Sequence, residues 1–256
     1  MREKIDTIPI NDAFASGDEC PFCYLERQAE QRAIKYTIGP GASYMEPEIR
    51  AITDREGFCR HHFKMMYEYR NALGCALILQ TYYTGVLMEL EENLDNYELP
   101  PKKGLFRKKL AVQEESSLIS WMKEKQGSCF VCRQMDENMQ RYFDTFFAML
   151  KDAEFRARVE TSKGFCMYHF RQLLEQSGDS LPGGQRDWFR EKIPALMQEN
   201  LQRLKADLDL FVRKNDYRNA DLPWENAMDA VPRGMQKLQG GHPADPVFRN
   251  GDYGLK

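Results

Sequence analysis

Six of the seven cysteines and two of the four histidines fall into a pattern suited to metal binding. Cys20-Pro-Phe-Cys23 and Cys129-Phe-Val-Cys132 are CxxC pairs, while Gly57-Phe58-Cys59-Arg60-His61-His62 and Gly164-Phe165-Cys166-Met167-Tyr168-His169 each end in CxxH. A gap of two residues lets both side chains of a pair reach one ion from a tight turn or a helix start. A CxxC with a CxxH then supplies three thiolates and one imidazole, the Cys3His set of structural zinc. Taken half by half, the ligands group as Cys20, Cys23, Cys59 and His62, and as Cys129, Cys132, Cys166 and His169, giving two Zn²⁺ per chain. His61 rivals His62, but Tyr168 stands at its place in the second copy, so the shared ligand is His62. An iron–sulfur cluster on the same ligands, in a redox or electron-transfer protein, is the alternative, because thiolate suits both. Four protein ligands saturate a zinc ion, whereas a catalytic zinc keeps three and leaves a place for water. The pattern therefore points to a binding or scaffold module without catalysis. Cys75, mid-helix in Leu73-Gly74-Cys75-Ala76, reads as an unliganded, buried thiol.

The elements that position these residues come in duplicate. The CxxC pairs are offset by 109 positions and the CxxH pairs by 107, and Glu48-Ile-Arg-Ala51 and Glu154-Phe-Arg-Ala157 make the same approach to Gly-Phe-Cys. The chain divides into a first helical metal-binding repeat (1–98), a basic linker (99–117), a second repeat (118–215) and a tail (216–256). The expected fold is all-α, an internally duplicated helical bundle with a Cys3His site in each half. Good helix formers run from Tyr24 to Thr37 and stop at Gly39-Pro40-Gly41. Helical periodicity predicts one long element from His61 to Tyr97, bent at Gly74 or Gly85. It also predicts one from Phe130 to Val159, one starting at Met167, and one from Trp188 to Val212 kinked at Pro194. Trp224, Met228, Val231, Met235 and Leu238 form an amphipathic stripe expected to dock on the bundle as core, with partner binding as the other use of that helix. Each ligand pair falls at a helix start, where exposed N–H groups favour thiolate. Phe58, Phe63, Phe165 and Phe170 flank the ligands and are expected to keep water out.

Composition narrows the functional classes. Lys plus Arg number 36 against 39 Asp plus Glu, a formal net charge of −3, which lacks the basic footprint of a dedicated nucleic-acid binder. The basic segment carrying Lys102, Lys103, Arg107, Lys108 and Lys109 keeps zinc-dependent nucleic-acid binding as a weaker alternative. Asn71 to Met88 carries no charge, long enough to raise the question of a membrane span. Its polar residues and acidic flank read instead as a helix buried on most sides of a bundle, so no membrane is expected. The N-terminal stretch lacks the apolar region of a secretory signal, and an odd cysteine count fits a disulfide framework poorly, so the expected location is cytoplasmic. Gly-x-Ser-x-Gly and Walker motifs are absent.

The runs Gly39-Pro-Gly-Ala-Ser-Tyr-Met-Glu-Pro47, Gly57-Phe-Cys-Arg-His-His62 and Asn71-Ala-Leu-Gly-Cys-Ala-Leu-Ile-Leu79 resemble an uncharacterised family of Gram-positive, largely anaerobic bacteria, known only as a domain of unknown function. The resemblance spans nearly the whole chain and implies that the motifs belong together, without supplying an activity. Some members are labelled as ABC-transporter substrate-binding proteins. Nothing here fits that label, since the sequence shows neither a lipobox nor the α/β lobes of such receptors.

Overall fold

The computed structural model describes residues 5–40, 46–95, 97, 99, 116–181, 183–219 and 221–243. The five cations of the basic linker, Lys102 to Lys109, and the end of the tail lie outside the described residues. Among those described there are eleven α-helices and no strand. The first five are α1 (Ile8–Ala15), α2 (Pro21–Ile38), α3 (Pro47–Glu56), α4 (Arg60–Glu68) and α5 (Ala72–Leu94). The same succession returns as α6 (Ser117–Gly127), α7 (Phe130–Met149), α8 (Ala153–Glu160), α9 (Met167–Ser180) and α10 (Arg186–Lys214), before α11 (Ala230–Gln239). The duplication seen in the motifs is thus matched in the order of helices.

Several boundaries differ from the sequence reading. The long element after His61 breaks at Arg70 (φ 64°) rather than at a glycine. There the Asn71 side chain accepts from the Gly74 amide at 3.0 Å and starts α5. The element after Phe130 breaks before Asp152, whose carboxylate caps α8 by accepting from the Glu154 amide at 2.8 Å. Both capping residues compete with the preceding helix for backbone donors, a local effect that apolar periodicity does not register. α10 runs on through Pro194.

By packing, the chain divides into two compact units that do not follow the repeats. One draws on residues 5–29 and 135–243, the other on 30–134, so the divide falls within α2 and within α7. In the first unit, Phe22 stacks on Phe143 with centroids 4.4 Å apart and meets Phe146 edge to face and Phe165 tilted, while Phe14, stacked on Phe146, and Phe155, edge to face with it, extend the cluster. The start of α2 therefore buries its aromatic ring against α7 and the Gly164-Phe165 turn. In the second unit, Phe58 packs against Phe63 and Phe130, and the Phe130 amide donates to the Gly57 carbonyl at 2.9 Å. Gly57 has φ +61°, and a Cβ there would fall 2.6 Å from the Tyr82 hydroxyl, so only glycine fits that turn.

Two expectations about burial are overturned. α5 is not buried on most sides: only 11% of its most apolar 18-residue window is covered, although by length and composition it is apolar enough to cross a membrane. Its inner face is narrow, formed by Gly74 and Ile78 together with Thr81, which donates to Asp54 at 2.7 Å. The tail stripe is not core either. The helix begins only at Ala230, and Met228, Met235 and Leu238 are exposed, while Arg233, Gln236 and Lys237 are buried. The reason is Glu19, 2% exposed, which needs counter-charges at the place where α11 docks. Arg203 donates to it at 2.5 Å, Arg233 at 3.3 Å, and Lys237 pairs with it at 3.3 Å. Burial alone would raise the Glu19 pKa, but Arg203, Lys237 and Lys163 hold it below the usual carboxylate range.

Removing one partner of a buried ionic network leaves the others uncompensated, at a cost of about 3–5 kcal/mol. Glu19→Gln is expected to lower the unfolding free energy by about that amount, read from urea denaturation with an unchanged slope. A loss below about 1 kcal/mol, the scale of an exposed pair, would show that the network does not anchor α11.

Candidate metal centres

All eight sequence-predicted ligands gather into two quartets, but the partners are exchanged between the repeats. Cys20 and Cys23 meet Cys166 and His169; Cys59 and His62 meet Cys129 and Cys132. The half-by-half grouping is therefore corrected: each centre takes its CxxC from one repeat and its CxxH from the other. Each centre thus draws ligands from both 1–98 and 118–215. Aromatic packing explains the exchange, since Phe22 carries Cys20 and Cys23 toward Phe143 and Phe165, and Phe130 carries Cys129 and Cys132 toward Phe58. Chain entropy opposes it only weakly. Cys23 lies 36 positions from Cys59 but 143 from Cys166, and loop-closure cost grows so slowly that the difference is about 1 kcal/mol.

Each ligand pair sits at a helix N-terminus, as its spacing requires. Cys20 and Cys129 precede the first residues of α2 and α7, and Cys59 and Cys166 are the N-caps of α4 and α9. Cys166 Sγ also accepts from the His169 amide at 3.4 Å. Two helix starts therefore converge on each quartet, each bringing roughly half a positive charge.

The donor atoms are spaced like the edges of a tetrahedron around one ion. In the buried quartet, His169 Nδ1 lies 3.5 Å from Cys20 Sγ, 3.5 Å from Cys23 Sγ and 3.1 Å from Cys166 Sγ, with Cys23 and Cys166 sulfurs 3.6 Å apart. In the other, His62 Nδ1 lies 3.3 Å from Cys59 Sγ, 3.2 Å from Cys129 Sγ and 3.5 Å from Cys132 Sγ, with Cys59 and Cys132 sulfurs 3.9 Å apart. Bond lengths of about 2.3 Å to sulfur and 2.0–2.1 Å to nitrogen give tetrahedral edges of about 3.5–3.8 Å. The residues present fit a single tetrahedral cation.

With only protons to share, three sulfurs so close cannot all ionise. Hydrogen bonds from Cys20 and Cys23 hold Cys166 down at about 4, and the same bond to Cys166 pushes the Cys23 thiol up. Burial would raise Cys129, yet the hydrogen bond from His62 pulls it to about 6, while burial and the Cys129 charge push Cys132 up. Burial would lower His62, but Cys129 and Glu30 raise it to about 10. The Cys59 quartet thus favours one thiolate beside an imidazolium, and a dication entering it replaces protons.

The surroundings hold residues that sequence reasoning missed. Both histidines offer Nδ1 to the sulfurs; His62 Nε2 is hydrogen-bonded to Glu30 at 3.3 Å, whereas Glu26 stands 3.7 Å from His169 Nε2, which has no hydrogen-bond partner among the described residues. A carboxylate behind a ligating imidazole fixes its tautomer and raises its basicity. The signal was an acidic residue one or two turns after Cys23 on α2. His61 also reaches Glu30 at 2.9 Å and stands outside the Cys59 quartet, as the repeat comparison required. Cys75 belongs to neither quartet. Gly240, the C-cap of α11, packs its backbone against the buried centre, where a Cβ would lie 3.6 Å from Cys166 Sγ and 3.7 Å from Cys23 Sγ. The two centres therefore differ in access. The Cys20 quartet is wholly buried, whereas Cys59 and Cys132 are half-exposed.

The chain matches a family of unknown function (DUF6062) over residues 1–245. No curated protein and no solved structure matches it.

The exchange of partners gives a mutational signature. Cys166→Ser is expected to reduce metal content from two ions to one and to expose Cys20 and Cys23, but not Cys129 or Cys132, to alkylation. Cys75→Ser should keep both ions. Mass spectrometry of iodoacetamide-labelled peptides reads the difference, and labelling of Cys129 and Cys132 in Cys166→Ser would restore the half-by-half grouping.

Proposed function

The chain belongs to this family of unknown function, which brings no activity with it, and we propose from the two quartets that it is a zinc protein in which both ions are structural. The observation that carries this reading is the spacing of four protein donors, with the imidazole nitrogen 3.1–3.5 Å from all three sulfurs in one quartet and 3.2–3.5 Å in the other, and all four donors within 4.8 Å of one another. Such spacing matches one closed tetrahedral ion and leaves no ligand position for substrate water. An iron–sulfur cluster spreads its ligands over separate irons with sulfide between them, which asks for donors farther apart than these. The zinc ions would tie helix starts from both repeats, and structural zinc in small peptides supplies on the order of 10 kcal/mol of folding free energy. The protein then serves as a binding or scaffold module. A cytoplasmic location belongs to the same proposal, because all seven cysteines are free thiols and the quartets need them reduced.

Elemental analysis of the protein purified without oxygen is expected to give two zinc ions per chain and no iron or sulfide. Equimolar iron and sulfide with visible absorbance would overturn the proposal. Treatment with a strong chelator should remove the ions in two phases, the half-exposed Cys59 quartet first, with a loss of cooperative unfolding when both are gone. Removal of both ions without a change in the unfolding transition would show that they are not structural.

A further inference from the structure

α5 presents an outward face that no described residue covers. Leu73 is 70% exposed, Tyr83 62% and Leu87 56%, and Leu94 is exposed as well. The face has a period. Leu73, Gln80, Leu87 and Leu94 recur every seven residues, and Ala76, Tyr83 and Leu90 fall three residues after the first three of them. That is the a and d spacing of a coiled-coil seam, with one polar residue, Gln80, at an a position. The contacts within the chain come from the opposite side, through Gly74, Ile78, Thr81 and Glu89, the last accepting from Trp121 at 2.5 Å and from Lys125 at 2.9 Å. A helix so anchored along one side cannot span a bilayer, and its exposed end carries Glu91 and Glu92, which anionic lipid would repel.

We propose that this seam is a dimer interface and that its occupant is α5 of a second copy, running antiparallel. The 23 residues of α5 extend about 35 Å. Along that length Leu73, Tyr83, Leu87 and Leu94 all leave half or more of their surface uncovered. Charge selects the direction. The first turn of α5 has no acidic residue, whereas its last turns carry Glu91 and Glu92. A parallel pair would place these acids together, and an antiparallel pair places them against the positive helix starts. In that register Leu73 faces Leu90, Ala76 faces Leu87, and Gln80 meets Tyr83, so small opposes large and amide meets hydroxyl. A groove of about 480 Å³ lined by Phe63, Leu79, Val86 and Trp121 flanks the seam and shares Tyr83 with it.

Light scattering on the full-length, metal-loaded protein is expected to give about 60 kDa, twice the 30.0 kDa of one chain. Ala76→Lys and Leu87→Glu, both at exposed positions, should each give the single-chain mass while keeping helicity by circular dichroism. Mixing these two variants should restore the doubled mass, because the ammonium introduced in one copy then faces the carboxylate introduced in the other only in the antiparallel register. A wild-type chain that stays single at 100 μM, or single variants that still pair, would overturn the proposal. So would a mixture that fails to pair, or a single chain that floats with phosphatidylcholine–phosphatidylglycerol vesicles unless Leu87 is replaced by glutamate.

Discussion

Everything in this fold answers to the need to bring three sulfurs and an imidazole within 4.8 Å of one another, twice. Like-charged thiolates do not share such a space without compensation, and the chain supplies it from backbone: each CxxC and each CxxH lies at a helix start, so two sets of free N–H groups converge on each quartet. The aromatic packing beneath is the other half of the constraint. Phe22 against Phe143, and Phe130 against Phe58, decide which helix starts meet. The ligands themselves are interchangeable between repeats, and the rings are not.

The second consequence of crowding charge at α2 is the inverted helix α11. Amphipathic helices normally bury their apolar stripe, yet here Arg233 and Lys237 point inward and Met235 and Leu238 point out. Glu19 stands beside Cys20, is nearly inaccessible, and collects Arg203, Arg233 and Lys237 around itself. Lys237 donates in addition to the carbonyls of Glu19 and Lys163, both at 2.6 Å. Glu19, with Asp18 accepting from Gln236 and Asp207 from Arg233, thus orients a helix against its own hydrophobic pattern, and in doing so brings Gly240 onto the sulfurs of the buried quartet.

The ligand set and the all-helical class were legible because both rest on local spacing. CxxC and CxxH survive any arrangement of the rest, and so does the repeat that singled out His62 over His61. The pairing of motifs was not legible. Two equal copies of each motif admit a direct and a crossed assignment, and loop entropy separates them by about 1 kcal/mol, far less than an ion supplies. The helix breaks at Arg70 and before Asp152 escaped for a different reason, being set by side-chain caps that hydrophobic period does not see. Burial of α5 and α11 was misread because an apolar stripe says only that some surface wants cover. It does not say whether the chain itself provides it.

The crossed ligation also has a temporal side. His169 follows Cys23 by 146 residues, so at about 5–20 residues per second a ribosome needs on the order of ten seconds to release the rest of the buried quartet after its first two sulfurs. During that interval Cys59 and His62 emerge as well, and with Cys20 and Cys23 they make up a complete but wrong set of four. A nascent chain that captures an ion there must surrender it before the native arrangement can form. For the metal-loaded protein proposed above, the rate of metal delivery and the ease with which the early ligands exchange therefore bear on the yield of correctly assembled protein as directly as the stability of the finished molecule.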